Sequence, residues 1–162
     1  MHKIVIFGNS GSGKSTLAKR LSAQHGLKHL DLDLLAWDKE RPTERRPLAE
    51  SGKEIAEFIA ENQGWVVEGC YSSLLSLVIS QCNQVIFLNP GVDACVANCK
   101  NRPWEPHKYP TPEAQQENLA MLLQWVRQYP DRTDEFSLAA HQALFDQFSG
   151  KKTVYHANER NI

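Results

Sequence analysis

The sequence contains no long hydrophobic run, no excess of either charge and no tail of biased composition. Its apolar stretches fall far short of the roughly 20 residues that cross a bilayer as a helix. A formal net charge of −1 gives no basic field of the kind that draws proteins to DNA, RNA or anionic lipid. No charged-then-apolar leader is expected, because Met1-His2-Lys3 runs directly into a strand-like segment. These absences predict a cytoplasmic protein without a direct nucleic-acid or membrane partner, as a monomer or homodimer.

Cysteine is sparse, at Cys70, Cys82, Cys95 and Cys99. No second CxxC or HxxxH completes a metal clip, so the four read as free thiols. Cys95 and Cys99 stand four apart on an expected helix and would share a buried face.

What is present suits one domain, expected to cover the whole chain. The 162 residues are 41% hydrophobic, enough for a sizeable core. Lys3 to Phe7 is a β-branched run of the kind buried on both faces of a sheet. Helical spacing follows from Gly13 to His25, with a short strand over Lys28 to Leu32 and a proline-punctuated loop at Arg41 to Pro47. A helix over Leu48 to Asn62, a strand at Trp65 to Glu68 and a helix at Leu74 to Ser80 come next. Then come a strand at Gln84 to Leu88, a helix at Val92 to Lys100, and helices over Pro112 to Arg127 and Thr133 to Phe148. A last strand is expected at Lys152 to His156. Strands alternating with helices predict an α/β protein with a parallel sheet covered on both sides. The intervening run NRPWEPHKYPTPE, Asn101 to Glu113, has four prolines and almost no aliphatic residues, and is expected to form a lid.

The chemistry is concentrated near the start. Gly8-Asn9-Ser10-Gly11-Ser12-Gly13-Lys14-Ser15 satisfies GxxxxGKS, the Walker A motif, after a strand and at the opening of a helix. Glycines allow a backbone turn whose N–H groups meet phosphate oxygens, and the helix N-terminus adds partial positive charge. Lys14 is expected at the β- and γ-phosphates and the Ser15 hydroxyl at Mg²⁺, with Thr16 supporting the first helical turn. An Asn-Lys-x-Asp guanine-reading motif is absent, which excludes a conventional GTPase. A motor or AAA-type ATPase is also disfavoured, because the fourth expected strand ends Phe87-Leu88-Asn89-Pro90 without an Asp-Glu pair.

With KIVIFGNSGSGKSTLAKRL followed by LDLDLLAW and GWVVEGCYS, the chain resembles adenylate-kinase-like P-loop kinases. Within them it is most similar to the branch called DNA topology modulation protein-like, described as adenylate or shikimate kinases. The resemblance spans residues 3 to about 156 and is strongest in the first seventy residues. It implies a P-loop NTPase three-layer αβα sandwich, with a five-stranded parallel sheet in the order 2-3-1-4-5 and a lid insertion. It also implies ATP with Mg²⁺ and phosphoryl transfer to a small acceptor.

The resemblance extends to individual residues. A similar Asp-x-Asp in shikimate- and gluconate-kinase-like proteins implies that Asp31 orients the Mg²⁺ water shell and that Asp33 accepts or orients the acceptor hydroxyl. The alternative is that the two carboxylates open a helix. Glu68-Gly69 stands where nucleoside-monophosphate kinases have Asp-Gly, which implies a water-mediated Mg²⁺ contact for Glu68. The Pro-Arg that follows in adenylate kinases is replaced by Cys70-Tyr71-Ser72-Ser73, and the glycine run of shikimate kinases is missing.

Arg102 lies where the lid opens in the resembled family and is the first candidate for the transferring phosphate, with Arg127 second and Arg132 beside it. Each is alternatively a solvated charge. Arg41, Arg45 and Arg46 form a second basic cluster, suited to an anionic acceptor or balanced by Glu40, Glu44 and Glu50. Trp37 and Trp104 would stack on an acceptor ring or adenine, or pack in core or lid. A competing function is a nucleotide-binding regulatory module with little kinase activity, linked to DNA topology indirectly.

Overall fold

The computed structural model describes residues 1–158. Strand β1 (Lys3–Gly8) occupies the centre of a parallel sheet because both of its faces are apolar. Val5 and Phe7 join one core cluster while Ile4 and Ile6 join the other, as the two-residue alternation of a strand requires. Its neighbours are β3 (Trp65–Gly69) and β4 (Gln84–Leu88), with β2 (Lys28–Asp31) and β5 (Lys151–Tyr155) at the edges. The order is β2-β3-β1-β4-β5, all parallel, as the resemblance implies.

Helix α1 (Lys14–His25) covers one face through Leu17, Ala18 and Leu21, and ends at Gly26 in the left-handed conformation. The other face meets α2 (Asp33–Ala36), α3 (Leu48–Glu61), α4 (Ser72–Val78) and α7 (Leu138–Gln147). Phe7 and Phe87 stack there with ring centroids 5.3 Å apart, and the fully buried His141 edges onto both. Helices α5 (Val92–Lys100) and α6 (Pro112–Arg127) pack together through Cys95, Val96, Cys99, Leu123 and Val126. All four cysteines are free, and Cys70, Cys95 and Cys99 are buried. Among the described residues no helix is long and apolar enough to cross a membrane.

The last helix departs from expectation. It begins at Leu138 rather than Thr133, because Ser137 caps it by accepting from the Ala140 amide. The preceding residues form a turn in which Asp134 receives both the Phe136 amide and the Arg132 guanidinium. The helix expected at Leu74 to Ser80 starts earlier, at Ser72, and passes into a 3-10 turn at Ile79–Gln81.

Register sets the site. Asp31 pairs with Glu68, Glu68 lies level with Ile6 of β1, and the glycine-rich loop leaves β1 at Gly8. The carboxylates and the loop are thus at the same, C-terminal ends of adjacent strands, where open α/β sheets bind ligands.

Candidate active site

The loop from Gly8 to Gly13 is held by the body of the protein. The Asn9 side-chain amide donates to the Val126 carbonyl at the end of α6 (3.1 Å), and Asn98 of α5 donates to the Gly11 carbonyl (2.8 Å). Gly11 has φ +79°, and a Cβ there would lie 2.5 Å from the Cys95 carbonyl oxygen and 2.6 Å from Cys99 Sγ, so the loop sits tight against α5. Lys14 Nζ reaches back over the loop to donate to the Asn9 carbonyl (2.8 Å). A turn of this kind entering a helix N-terminus, crossed by an ammonium group, matches the needs of a polyphosphate. Thr16 is exposed on the first turn of α1.

Ser15 Oγ donates to Glu68 Oε2 at 2.7 Å, and His29 Nε2 lies 3.0 Å from the same oxygen. Glu68 is only 2% exposed. Strand β2 ends at Asp31 and the chain turns at once into α2, with Asp31 Oδ1 accepting the Asp33 amide (2.9 Å). The helix-opening alternative therefore holds for Asp31, which ties itself to Asp33 across the turn. Burial, then Glu68 and then Asp33 push the Asp31 carboxyl up to about 6, against Lys108 and the Asp33 amide. Among the described residues no three His, Cys, Asp or Glu side chains form a metal site by themselves. A hydroxyl beside two carboxylates at paired strand positions, Ser15 with Glu68 and Asp31, is nonetheless a donor set that could hold a hard divalent cation, partly through water.

Asp33 is gripped from two sides. Tyr71 donates its hydroxyl to Oδ1 at 2.5 Å and accepts the Trp37 indole N–H (3.0 Å), while Lys108 Nζ lies 2.8 Å from Oδ2. Burial works against the Asp33 charge, yet the Lys108 ammonium and the two hydrogen bonds prevail and hold its pKa below the usual value. Burial likewise opposes the Lys108 charge, but Asp33 and Asp31 raise its pKa. Burial first, and then neighbours that include Asp33, keep the Tyr71 phenol protonated.

Lys108 belongs to the expected lid, which here runs as an irregular segment from Asn101 to Thr111. The lid is tied internally and to α6. Trp104 donates to the Tyr109 carbonyl (3.1 Å), Gln115 bonds Glu105 and Pro103, and Asn118 meets the Tyr109 hydroxyl (2.8 Å). Sequence reasoning passed over both Lys108 and Tyr71. For Lys108 the signal was a cation three residues after Glu105 inside the proline-rich run; for Tyr71 it was a polar-tipped aromatic two residues after Glu68-Gly69.

The arginines divide. Arg102 pairs with Glu105 (3.3 Å) and approaches Cys99 Sγ, which itself borders Gly11, so it stands beside the loop and shares Glu105 with Lys108. Arg127 is exposed at the end of α6, next to the Val126 carbonyl that holds Asn9. Arg132 lies over the Trp125 ring and pairs with Asp134. Arg41 pairs with Glu44, and Arg46 with Glu54 and Glu50. Arg45 bonds Glu135 and the Ala36 carbonyl among the rings of Trp37, Tyr71 and Phe136. All three arginines of the second cluster are therefore engaged with the protein itself. Hollows of about 510 and 600 Å³ open at the opposite, N-terminal ends of the strands, near Lys3 and near Phe148.

Loop, strand order and strand-end carboxylates together define a nucleotide-binding P-loop protein of the small-kinase fold. The chain belongs to the AAA domain family, whose model matches residues 4–143. That family carries the name of the AAA class that the strand ending had disfavoured; β4 does end at Leu88 without an acidic pair. Over 103 residues it is 29% identical to an adenylate kinase of Synechococcus sp. (strain RCC307), covering 51% of this chain and 57% of that protein. The match thus spans little more than half of that relative. A shikimate kinase from Bacteroides thetaiotaomicron superposes with a TM-score of 0.54 at 17% identity, covering 98% of this chain and 88% of the other. A sugar kinase from Janibacter sp. HTCC2649 gives 0.52 at 13% identity, covering 99% and 87%. At these identities the two structures show the shared fold.

Proposed function

We propose that the protein transfers the γ-phosphoryl group of Mg·ATP to a hydroxyl of a small acceptor bound beside Asp33. The observation that carries the reading is the register itself. It sets Ser15 and Glu68 at one end of a continuous polar cluster and Asp33 at the other, with Asp31 between. Lys14 and the loop from Gly8 to Gly13 would bind the phosphates, and Ser15, Asp31 and Glu68 would hold the cation, directly or through water. Bound there, Mg²⁺ would offset charge on the phosphates, the main requirement of phosphoryl transfer.

Asp33 orients the acceptor hydroxyl and takes its proton as the new O–P bond forms and ADP leaves. Its low pKa suits orientation more than strong base chemistry, and positioning dominates in this reaction class. Arg102, beside the loop, and Arg127, at the end of α6, are the lid-side candidates for charge on the transferring phosphate. Kinases named for adenylate, shikimate and sugar share sequence or fold with this chain, which supports phosphotransfer as the class and leaves the acceptor to experiment.

The reading is tested by acceptor-dependent ADP release across nucleosides, nucleoside monophosphates, shikimate and gluconate. Stimulation by one class, abolished in Lys14→Ala, supports it. Slow hydrolysis indifferent to every acceptor favours the regulatory nucleotide-binding alternative.

A further inference from the structure

Lys108 holds a position that the proposed reaction needs for something else. Asp33 has two carboxylate oxygens. Oδ1 is fixed from the body of the protein by Tyr71, whose hydroxyl is itself fixed by Trp37. Oδ2 is met by the lid, through Lys108 Nζ at 2.8 Å. Oδ1 already accepts a 2.5 Å bond from a buried phenol, so Oδ2 is the oxygen an acceptor hydroxyl would approach, and there it meets the Lys108 ammonium as a competitor.

We infer that Lys108 is a positioning residue: it occupies Oδ2 of Asp33 in the resting enzyme and is exchanged there for the acceptor hydroxyl. The inference rests on the reading of Asp33 as the acceptor-side carboxylate.

The surroundings of Lys108 explain why the exchange is graded by what else is bound. Its ammonium also lies 3.4 Å from Glu105 and 3.7 Å from Asp31, so it serves three carboxylates. Glu105 belongs to the lid and leaves with it, whereas Asp31 and Asp33 stay behind. Without Lys108 those two, with Glu68 nearby, would repel one another in a partly buried site. Were Ser15, Asp31 and Glu68 to hold a divalent cation, its charge would stand in for that of Lys108, which would then be free to leave Asp33. Acceptor binding is therefore expected to follow nucleotide binding. Glu105, Pro103 and Tyr109 are bonded to α6, so loss of the Lys108–Asp33 tie removes one of few anchors of the segment and is readable in its backbone exchange.

The test uses the full chain and begins without ligand. Hydrogen exchange of residues 101–111 is compared among wild type, Lys108→Met, Lys108→Arg and Asp33→Asn. The expected result is lid exchange about tenfold faster in Lys108→Met and in Asp33→Asn, close to wild type in Lys108→Arg, and no faster in the double variant than in either single one. Kinetics with the best acceptor should then show a split: Lys108→Met lowers the acceptor KM several-fold while kcat does not rise. Lid exchange unchanged in both single variants overturns the inference, and so does an acceptor KM that rises in Lys108→Met. Lid exchange that responds as expected, with no form of the enzyme phosphorylating any acceptor, supports the Lys108–Asp33 tie and overturns the kinase reading instead.

Discussion

Ser15 Oγ and Glu68 Oε2 stand 2.7 Å apart, joining the first turn of α1 to the end of β3. The bond crosses 53 residues of sequence and links the loop's own hydroxyl to a carboxylate that is almost wholly buried. So buried an acid is tolerated because Ser15 and His29 both meet it, and it waits where a cation would sit.

Glu68→Gln keeps the shape and removes the charge. ATP affinity measured calorimetrically with Mg²⁺ should fall about tenfold or more, while affinity without Mg²⁺ changes little. Equal losses in both conditions would place Glu68 outside the cation site.

Two glycines separate strain from collision. Gly11 and Gly26 both have left-handed backbone, at φ +79° and +64°, but only at Gly11 would a Cβ strike the α5 backbone. Gly26→Ala should cost about 1–2 kcal/mol. Gly11→Ala should cost about 2–4 kcal/mol in urea unfolding and abolish nucleotide binding as well. Similar costs at the two sites would contradict the close packing of the loop on α5.

The stability of the fold should vary with pH through two opposing groups. His141 is enclosed between the Tyr129 hydroxyl (2.7 Å) and the Cys70 carbonyl (2.8 Å), and burial pulls its pKa down to about 4. A carbonyl only accepts, so Nε2 donates to Cys70 and Nδ1 receives the Tyr129 proton. Between about 4 and the ordinary value of 6.5 the unfolded chain holds the extra proton, and stability falls as pH drops. For Asp31, pushed up to about 6 by burial and then by its acidic neighbours, the folded chain holds the extra proton from 3.8 to 6. Its contribution therefore rises as pH drops. Each is worth about 2 kcal/mol between about pH 7 and 4.5, with opposite sign. Asp31→Asn should expose the histidine term, steepening the loss of unfolding free energy over that interval by about 2 kcal/mol relative to wild type. Parallel pH profiles for the two proteins would contradict the assignment.

Tyr71→Phe removes one hydroxyl from the clamp on Asp33. The expected result is about a tenfold lower kcat with ATP KM unchanged, because orientation at the acceptor side is lost and the nucleotide loop is untouched. A change confined to ATP KM would mean that Tyr71 acts elsewhere.

Much of this was legible in the chain itself. The apolar alternation of Lys3 to Phe7, the GxxxxGKS loop and the proline-rich run each follow from local chemistry, and α5 and α6 begin and end where their periodicity places them. The two-sided split of Val5 and Phe7 from Ile4 and Ile6 needed only the period of a strand. Asp31 and Asp33 were recognisable as a pair, but the turn that ties the Asp33 amide to Asp31 was not, since it depends on where the strand ends. Lys108 was overlooked because its partner is 75 residues away and brought near only by the fold. Arg102, the more conspicuous lid cation, turned out to pair within the lid, with Glu105. At Thr133, helical periodicity yielded to a turn closed by Arg132 and Asp134.

In the proposed reaction Asp33 serves the acceptor and the loop serves the nucleotide. The most direct measurement follows labelled γ-phosphate into an organic product in wild type and Asp33→Asn, alongside ATP affinity for both. Labelled product is expected from wild type, with a loss of about a hundredfold or more in Asp33→Asn and ATP affinity within about threefold of wild type. Equal losses of transfer and ATP binding, or transfer undiminished in Asp33→Asn, would contradict that division of roles.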